Sequence, residues 1–162
     1  MEYYPLPQPE EIAEREKEDA MGAYLMMFAA VAIGLPLPII NLIASIIYYY
    51  INRNKSKFIH FHSLQALLSQ VPSTLINWVV VIWGIRIYFT DMTLSDSFWA
   101  YAVFAAVCTL LYFIYNVIAA FKARQGKFYY FLFFGKVSYE LVFKIKPGEE
   151  VVSTEPVNKP PF

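Results

Sequence analysis

The chain carries hydrogen-bonding side chains in rows and almost nothing that ionises beside them. Asn41 and Ser45 are continued by Tyr48 and Asn52. His62, Gln65, Ser69, Ser73 and Asn77 are continued by Gly84. Thr109, Tyr112 and Asn116 are extended by Ala105, Ala119 and Ala123. Steps of three, four or seven residues put each row on one face of a helix. Small and hydroxyl- or amide-bearing faces let helices approach closely and bond across the contact. The three rows therefore predict one polar bundle face, used for packing or, alternatively, as a polar groove for a substrate.

Catalytic and metal chemistry are poorly supplied. His60 and His62 stand two residues apart, so on a helix they point in different directions. No Asp, Glu or further His lies near them to complete the three or four ligands that zinc takes. None of the long apolar runs contains an acid or base, where proton relays and intramembrane proteases place one. Ser69 and Ser73 have only His62 as a base, and it lies about 10 Å or more from Ser69 along the same helix. The expectation is a non-enzyme with no cofactor and no metal. Cys108, the single cysteine, reads as a small packing residue.

The elements that must position these rows are read from the spacing of charge. Hydrophobic residues make up 58% and charged residues 16%, against about 45–50% and about 25% in ordinary soluble domains. No charge occurs between Ala20 and Ile51, between Ser63 and Ile85, or between Ser97 and Phe121. Each gap is long enough for a membrane-crossing helix, which needs roughly 17–25 apolar residues. Too few polar residues remain to cover three such helices in water. The expectation is an all-α integral membrane protein with four hydrophobic helical segments: 20–33, 38–52, 58–88 with a kink at Pro72, and 98–121.

The first two segments meet at Gly34-Leu35-Pro36-Leu37-Pro38. They form either a hairpin of two short helices or one broken helix. Each residue before a proline is pushed out of the helical region. A continuous helix over 20–51 would also reach about 48 Å, too long for a hydrocarbon core of about 30 Å. Both points favour the hairpin.

Residues 1–19 form an acidic segment, expected to be disordered over 1–8 and helical from Pro9-Glu10-Glu11 onward, where proline and acids suit a helix start. Its acidity is unlike the basic start of a signal peptide. Residues 20–146 form the membrane domain. Within it, Phe128-Tyr129-Tyr130-Phe131-Leu132-Phe133-Phe134 reads as an interfacial segment. Residues 147–162 read as a disordered tail.

Two basic clusters, Arg53/Lys55/Lys57 with His60 beside them and Lys122/Arg124/Lys127, are separated by two crossings. Cytoplasmic loops carry excess Lys and Arg, so both clusters and the C-terminus are expected inside, and the loop holding Asp91 and Asp96 outside. These seven residues are candidate contacts for lipid headgroups or membrane-protein partners. Zero net charge gives no footprint for nucleic acid.

Several linear pieces form a pattern: Leu35-Pro36-Leu37-Pro38, Asn52-Arg53-Asn54, Phe58-Ile59-His60-Phe61-His62-Ser63-Leu64-Gln65-Ala66, Tyr115-Asn116, Lys122-Ala123-Arg124 and Gly126-Lys127-Phe128-Tyr129. Over 22–146 this resembles the family of the twenty-kilodalton subunit of the chloroplast inner-envelope protein translocon and its small bacterial relatives. The resemblance implies a four-helix domain with both termini on one side. Lack of a transit peptide then points to a bacterial inner membrane. The implied role is a non-enzymatic subunit or scaffold of a protein-transport or insertion assembly, with an oligomeric small-solute or ion channel as the alternative.

Overall fold

The computed structural model describes residues 3–35, 37–90 and 93–144. Those residues are helical apart from turns, loops and one isolated bridge between Tyr3 and Lys144. Helix α1 covers Glu14–Leu25 and passes through a 3-10 turn, Met26–Phe28, into the short α2, Ala29–Ala32. Then follow α3, Pro38–Asn52, α4, Lys57–Thr90, α5, Asp96–Arg124, and α6, Phe134–Phe143. The expected tail at 147–162, and Pro36 and Asp91, lie outside the described residues.

Helix α1 begins five residues later than its proline predicts. Residues 8–11 close a turn instead: the Glu11 amide donates to the Gln8 carbonyl, and the Glu11 carboxylate accepts from the Gln8 amide at 2.8 Å. Glu14 and Glu16 still occupy the first turn, where acids meet the positive end of the dipole. The 3-10 turn tightens the ladder so that the Ala29 amide reaches the Met26 carbonyl. This frees the Ala30 amide, which donates to Asn41 Oδ1 at 2.7 Å.

The Gly34 break is a reversal, and the two halves run antiparallel. Asp19 O accepts from Tyr48 Oη near one end of the pair, and Ala30 meets Asn41 near the other. Gly34 sits at φ +71°, a conformation that costs glycine nothing. Every amide of the turn is used: Ile33 to Ala29 O, Gly34 to Val31 O, Leu35 to Ala30 O and Leu37 to Leu35 O. Pro36 and Pro38 have no amide hydrogen to place. The turn is nevertheless exposed and apolar at Val31, Ile33, Leu35 and Leu37. Its donors are satisfied from within rather than by burial.

This hairpin does not run the length of the long helices. Its apex lies against Thr74 of α4, whose hydroxyl points to the Pro38 carbonyl at 3.5 Å, and Phe28 stacks edge-on with Phe113 of α5. At the opposite end Arg124 of α5 pairs with Glu14. The two far halves, 75–90 of α4 and 96–108 of α5, pack against each other beyond the apex. Among the described residues, only α4 and α5 are helices long and apolar enough to cross a membrane. The expectation of four such segments is corrected: α3 has 15 residues, about 22 Å, short of a core of about 30 Å.

Two end segments differ from expectation. Residues 3–8 are packed, not loose: Leu6 is buried beside Phe61, Tyr139 and Phe143, and the Tyr4 amide donates to the Phe143 carbonyl. The aromatic run is only half outward. Phe131 is buried and Phe128 packs on Phe58, Phe61 and Phe143, whereas Leu132 and Phe133 are exposed.

Candidate functional site

The predicted polar rows resolve into two clusters stacked along α4. The first is a clasp between α1, α4 and the aromatic strip. Gln65 Oε1 accepts from the Phe131 amide at 3.1 Å, and its Nε2 donates to the Tyr129 carbonyl at 2.9 Å. Those two backbone groups fix which way the amide points. Nε2 must then donate to Tyr24 Oη, 2.8 Å away, so the Tyr24 hydroxyl donates onward to His62 Nδ1, also at 2.8 Å. His62 thus carries its proton on Nε2, which has no hydrogen-bond partner among the described residues. The ring lies edge-on to Phe58 and Phe61 and stacks on Phe128 at 5.5 Å.

The second cluster joins α4 to α5 and to the hairpin apex. Tyr112 donates to Gln70 Oε1 at 2.7 Å, Gln70 leads to Thr74, and Asn77 and Thr109 are paired through the Asn77 amide at 2.9 Å. A cavity of about 200 Å³ lies among Asn41, Gln70, Ser73, Thr74 and Tyr112. A larger crevice of about 430 Å³ opens between Pro72, Ile76, Cys108 and Phe131.

The α4 and α5 rows therefore meet, and the α3 row reaches them only at Asn41, which lines the smaller cavity with Ser73, Asn77, Thr109 and Tyr112. Asn41 turns to α2, Ser45 is buried, and Asn116 donates to its own helix at Tyr112 O. Ser69 bonds to Ala66 O and also meets the Tyr112 hydroxyl of α5, and Ser73 O accepts from Asn77. Tyr24, Gln70 and Thr74 are members that the row pattern missed. Gln70, Thr74 and Asn77 do share steps of four and three, so that part of the signal was present. Tyr24 stands alone in its segment and gave none.

The basic residues sit at the end where the hairpin begins. Lys55 pairs with Asp19 at 2.7 Å, and Arg124 reaches Glu14 at 2.6 Å and Glu18 at 3.3 Å. Arg53 lies over the Tyr50 ring, Lys57 over that of Tyr4, and His60 bonds to the Tyr49 hydroxyl. Lys122 and Lys127 are exposed. The acidic helix thus lies across both basic clusters.

Lys17 and Arg124, hydrogen-bonded to Glu14, hold its carboxyl well below the ordinary 4.5, at about 2. A depressed carboxyl stabilises the fold above its unfolded pKa, and the contribution fades as pH falls from 4.5 towards about 2. Protection of the α1 amides against hydrogen exchange, taken relative to the unstructured rate at each pH, should therefore hold through mildly acid pH and decline below 4.5. Glu14→Gln should remove most of that dependence. Because the pair is exposed, the effect is expected to be small.

The class is thus an all-helical protein with two helices fit to cross a membrane and uncharged polar contacts between its packed helices. Residues 16–137 match the family model of the magnetosome magnetite crystal formation proteins, MamF/MmsF, and the chain belongs to that family. No curated protein and no solved structure matches it.

The family membership overturns the translocon resemblance and the transport function drawn from it. The shared-looking motif has a packing origin. Phe58, Phe61, His62, Gln65 and Ala66 are all buried, so the start of α4 is dictated by what surrounds it. The channel alternative falls as well, since the family points to crystal formation.

Proposed function

We propose that the chain is a non-catalytic protein of the magnetosome membrane that takes part in forming the magnetite crystal. The observation that carries this is the family match over 16–137. Membrane placement is supported by α4 and α5. Only 22% and 17% of their most apolar stretches are buried within the fold, whereas the core helix of a soluble protein is mostly buried. In this reading α4 and α5 cross the bilayer, lipid and other membrane proteins contact them, and the Lys/Arg clusters and both termini face the cytoplasm.

The crystal then meets the opposite end, the connection between α4 and α5. That connection carries Asp91 and Asp96, Thr93 and Ser97, and no base. Ser95 caps α5 by accepting from the Phe98 amide, and Asp96 is exposed beside it. Carboxylate and hydroxyl oxygens suit hard cations. Two carboxylates are too few to enclose one ion, but they suit contact with cations fixed in an oxide face.

The test is Asp91→Asn with Asp96→Asn, expressed in a magnetite-forming host that lacks its own copy. Electron microscopy should show crystals altered in size or shape to nearly the extent seen with no protein, while the variant still fractionates with membranes. Crystals indistinguishable from those made with the unaltered chain would reject this face.

A further inference from the structure

The apex of the first hairpin lies halfway along both long helices, and this sets the shape of the protein in a bilayer. Thr74 lies at the middle of α4, Lys57–Thr90, and Thr109 within about a residue of the middle of α5, Asp96–Arg124. The apex turn packs at the level of both, with Thr74 against Pro38 and with Leu37, Pro38, Thr74 and Thr109 around one cavity. The hairpin's own uncharged run, 20–51, is centred on the same turn.

The turn is built for hydrocarbon. It exposes Val31, Ile33, Leu35 and Leu37, and its amide hydrogens are all bonded within the turn. In a bilayer core each unpaired backbone N–H or C=O is penalised, and this turn removes the N–H part of that penalty. Both ends of the hairpin return to one side, where Asp19 meets Lys55 and Glu14 meets Arg124.

We propose that residues 20–52 dip halfway into the membrane and return, and that the protein is therefore a wedge that favours membranes convex on the side of its basic clusters. One leaflet holds four helices, flanked by α6 and the aromatic strip. The other holds only α4 and α5. Two extra helices of about 10 Å diameter add on the order of 150 Å² to one leaflet alone. A bilayer accommodates unequal leaflet areas by bending towards the smaller one. The ligand is thus a lipid surface of defined curvature. This inference rests on the membrane placement proposed above, but not on any role in crystal growth.

The test uses the full chain in iron-free phosphatidylcholine/phosphatidylglycerol vesicles of mixed diameter, in a Cys108→Ala background. Lys127→Cys labelled from outside with an impermeant dye reports molecules with the wide end outward. Ser95→Cys labelled in the same way reports the opposite orientation. Single-vesicle imaging should show dye density at position 127 rising several-fold as diameter falls, and density at position 95 falling.

A flat profile, or the same trend from both positions, would overturn the wedge. Leu35→Lys with Leu37→Lys should abolish the preference while leaving position 95 accessible only from the narrow side. Should that variant fail to fold, Leu35→Cys in the otherwise native hairpin gives an independent measure. A fluorophore there should be quenched best by lipids carrying nitroxides near the chain ends, and quenching by headgroup-labelled lipids instead would also overturn the proposal. Because no iron is present, failure here leaves the Asp91/Asp96 result untouched, and the reverse holds as well.

Discussion

Gln65→Leu is expected to destabilise the protein more than any other conservative change in its polar clusters. The substitution keeps the side chain's bulk but removes three hydrogen bonds and one orientation. The Phe131 amide and the Tyr129 carbonyl lose their only side-chain partner, and the Tyr24 hydroxyl loses the donor that sets its direction. All three groups are close-packed, with Tyr24 and Gln65 fully buried. Leaving a buried polar group unsatisfied costs about 1–3 kcal/mol, so a loss of roughly 2–4 kcal/mol is expected when relaxation of the strip is allowed for.

Ser69→Ala, one turn further along, removes a bond to Ala66 O and a hydroxyl contact with Tyr112, both near the bundle's ordinary interhelical strength, and should cost about 1 kcal/mol or less. Denaturation in mixed micelles, followed by the tryptophans of α4 and α5, measures both. Equal losses for the two variants would mean that the clasp is not an organising contact.

Gly126→Val is the second large effect. Gly126 ends α5 at φ +71°. Its amide donates to Ala123 O, and the Lys127 amide reaches back to Lys122 O, the pattern that closes a helix with a left-handed residue. A β-carbon there would lie 3.0 Å from Pro9 Cα and 3.1 Å from Lys17 Cε.

The backbone strain is about 1–2 kcal/mol, more for a β-branched residue. Displacing the 8–11 turn adds to it, for a total of roughly 2–3 kcal/mol. Gly34→Val provides the contrast. It has the same φ, but a β-carbon meets nothing within 4 Å. The difference between the two variants in the same denaturation experiment isolates the contact between the N-terminal turn and the end of α5. No difference would show that only the backbone conformation matters.

The sequence made the long helices plain because charge is excluded from them. The bounds of α3 were legible to the residue: Pro38 starts it and the polar Asn52-Arg53-Asn54 ends it. Helix α6 was hidden by Gly135, which reads as a breaker yet is required, since a β-carbon there would come 2.8 Å from Tyr130 Cα. The packing of residues 3–8 was equally hidden, because two prolines mask Leu6, whose pocket is made by residues more than fifty positions away.

At the site, steps along one helix revealed Gln65, Asn77 and Thr109, whose partners also lie on long helices. They did not reveal Tyr24, whose role depends on a backbone stretch a hundred residues later. The motif at the start of α4 misled for a related reason. A run of buried residues is constrained by its neighbours, and unrelated membrane bundles present similar neighbours.

The grip of Gln65 on the strip has a corollary for substitution. It recognises main-chain atoms at positions 129 and 131 and ignores the side chain that position 129 carries. The Tyr129 side chain, only partly covered, can consequently be exchanged for another that packs on Phe131 without loosening either bond from Gln65. Gln65 itself has no such freedom, because no other residue of its length offers a donor and an acceptor side by side.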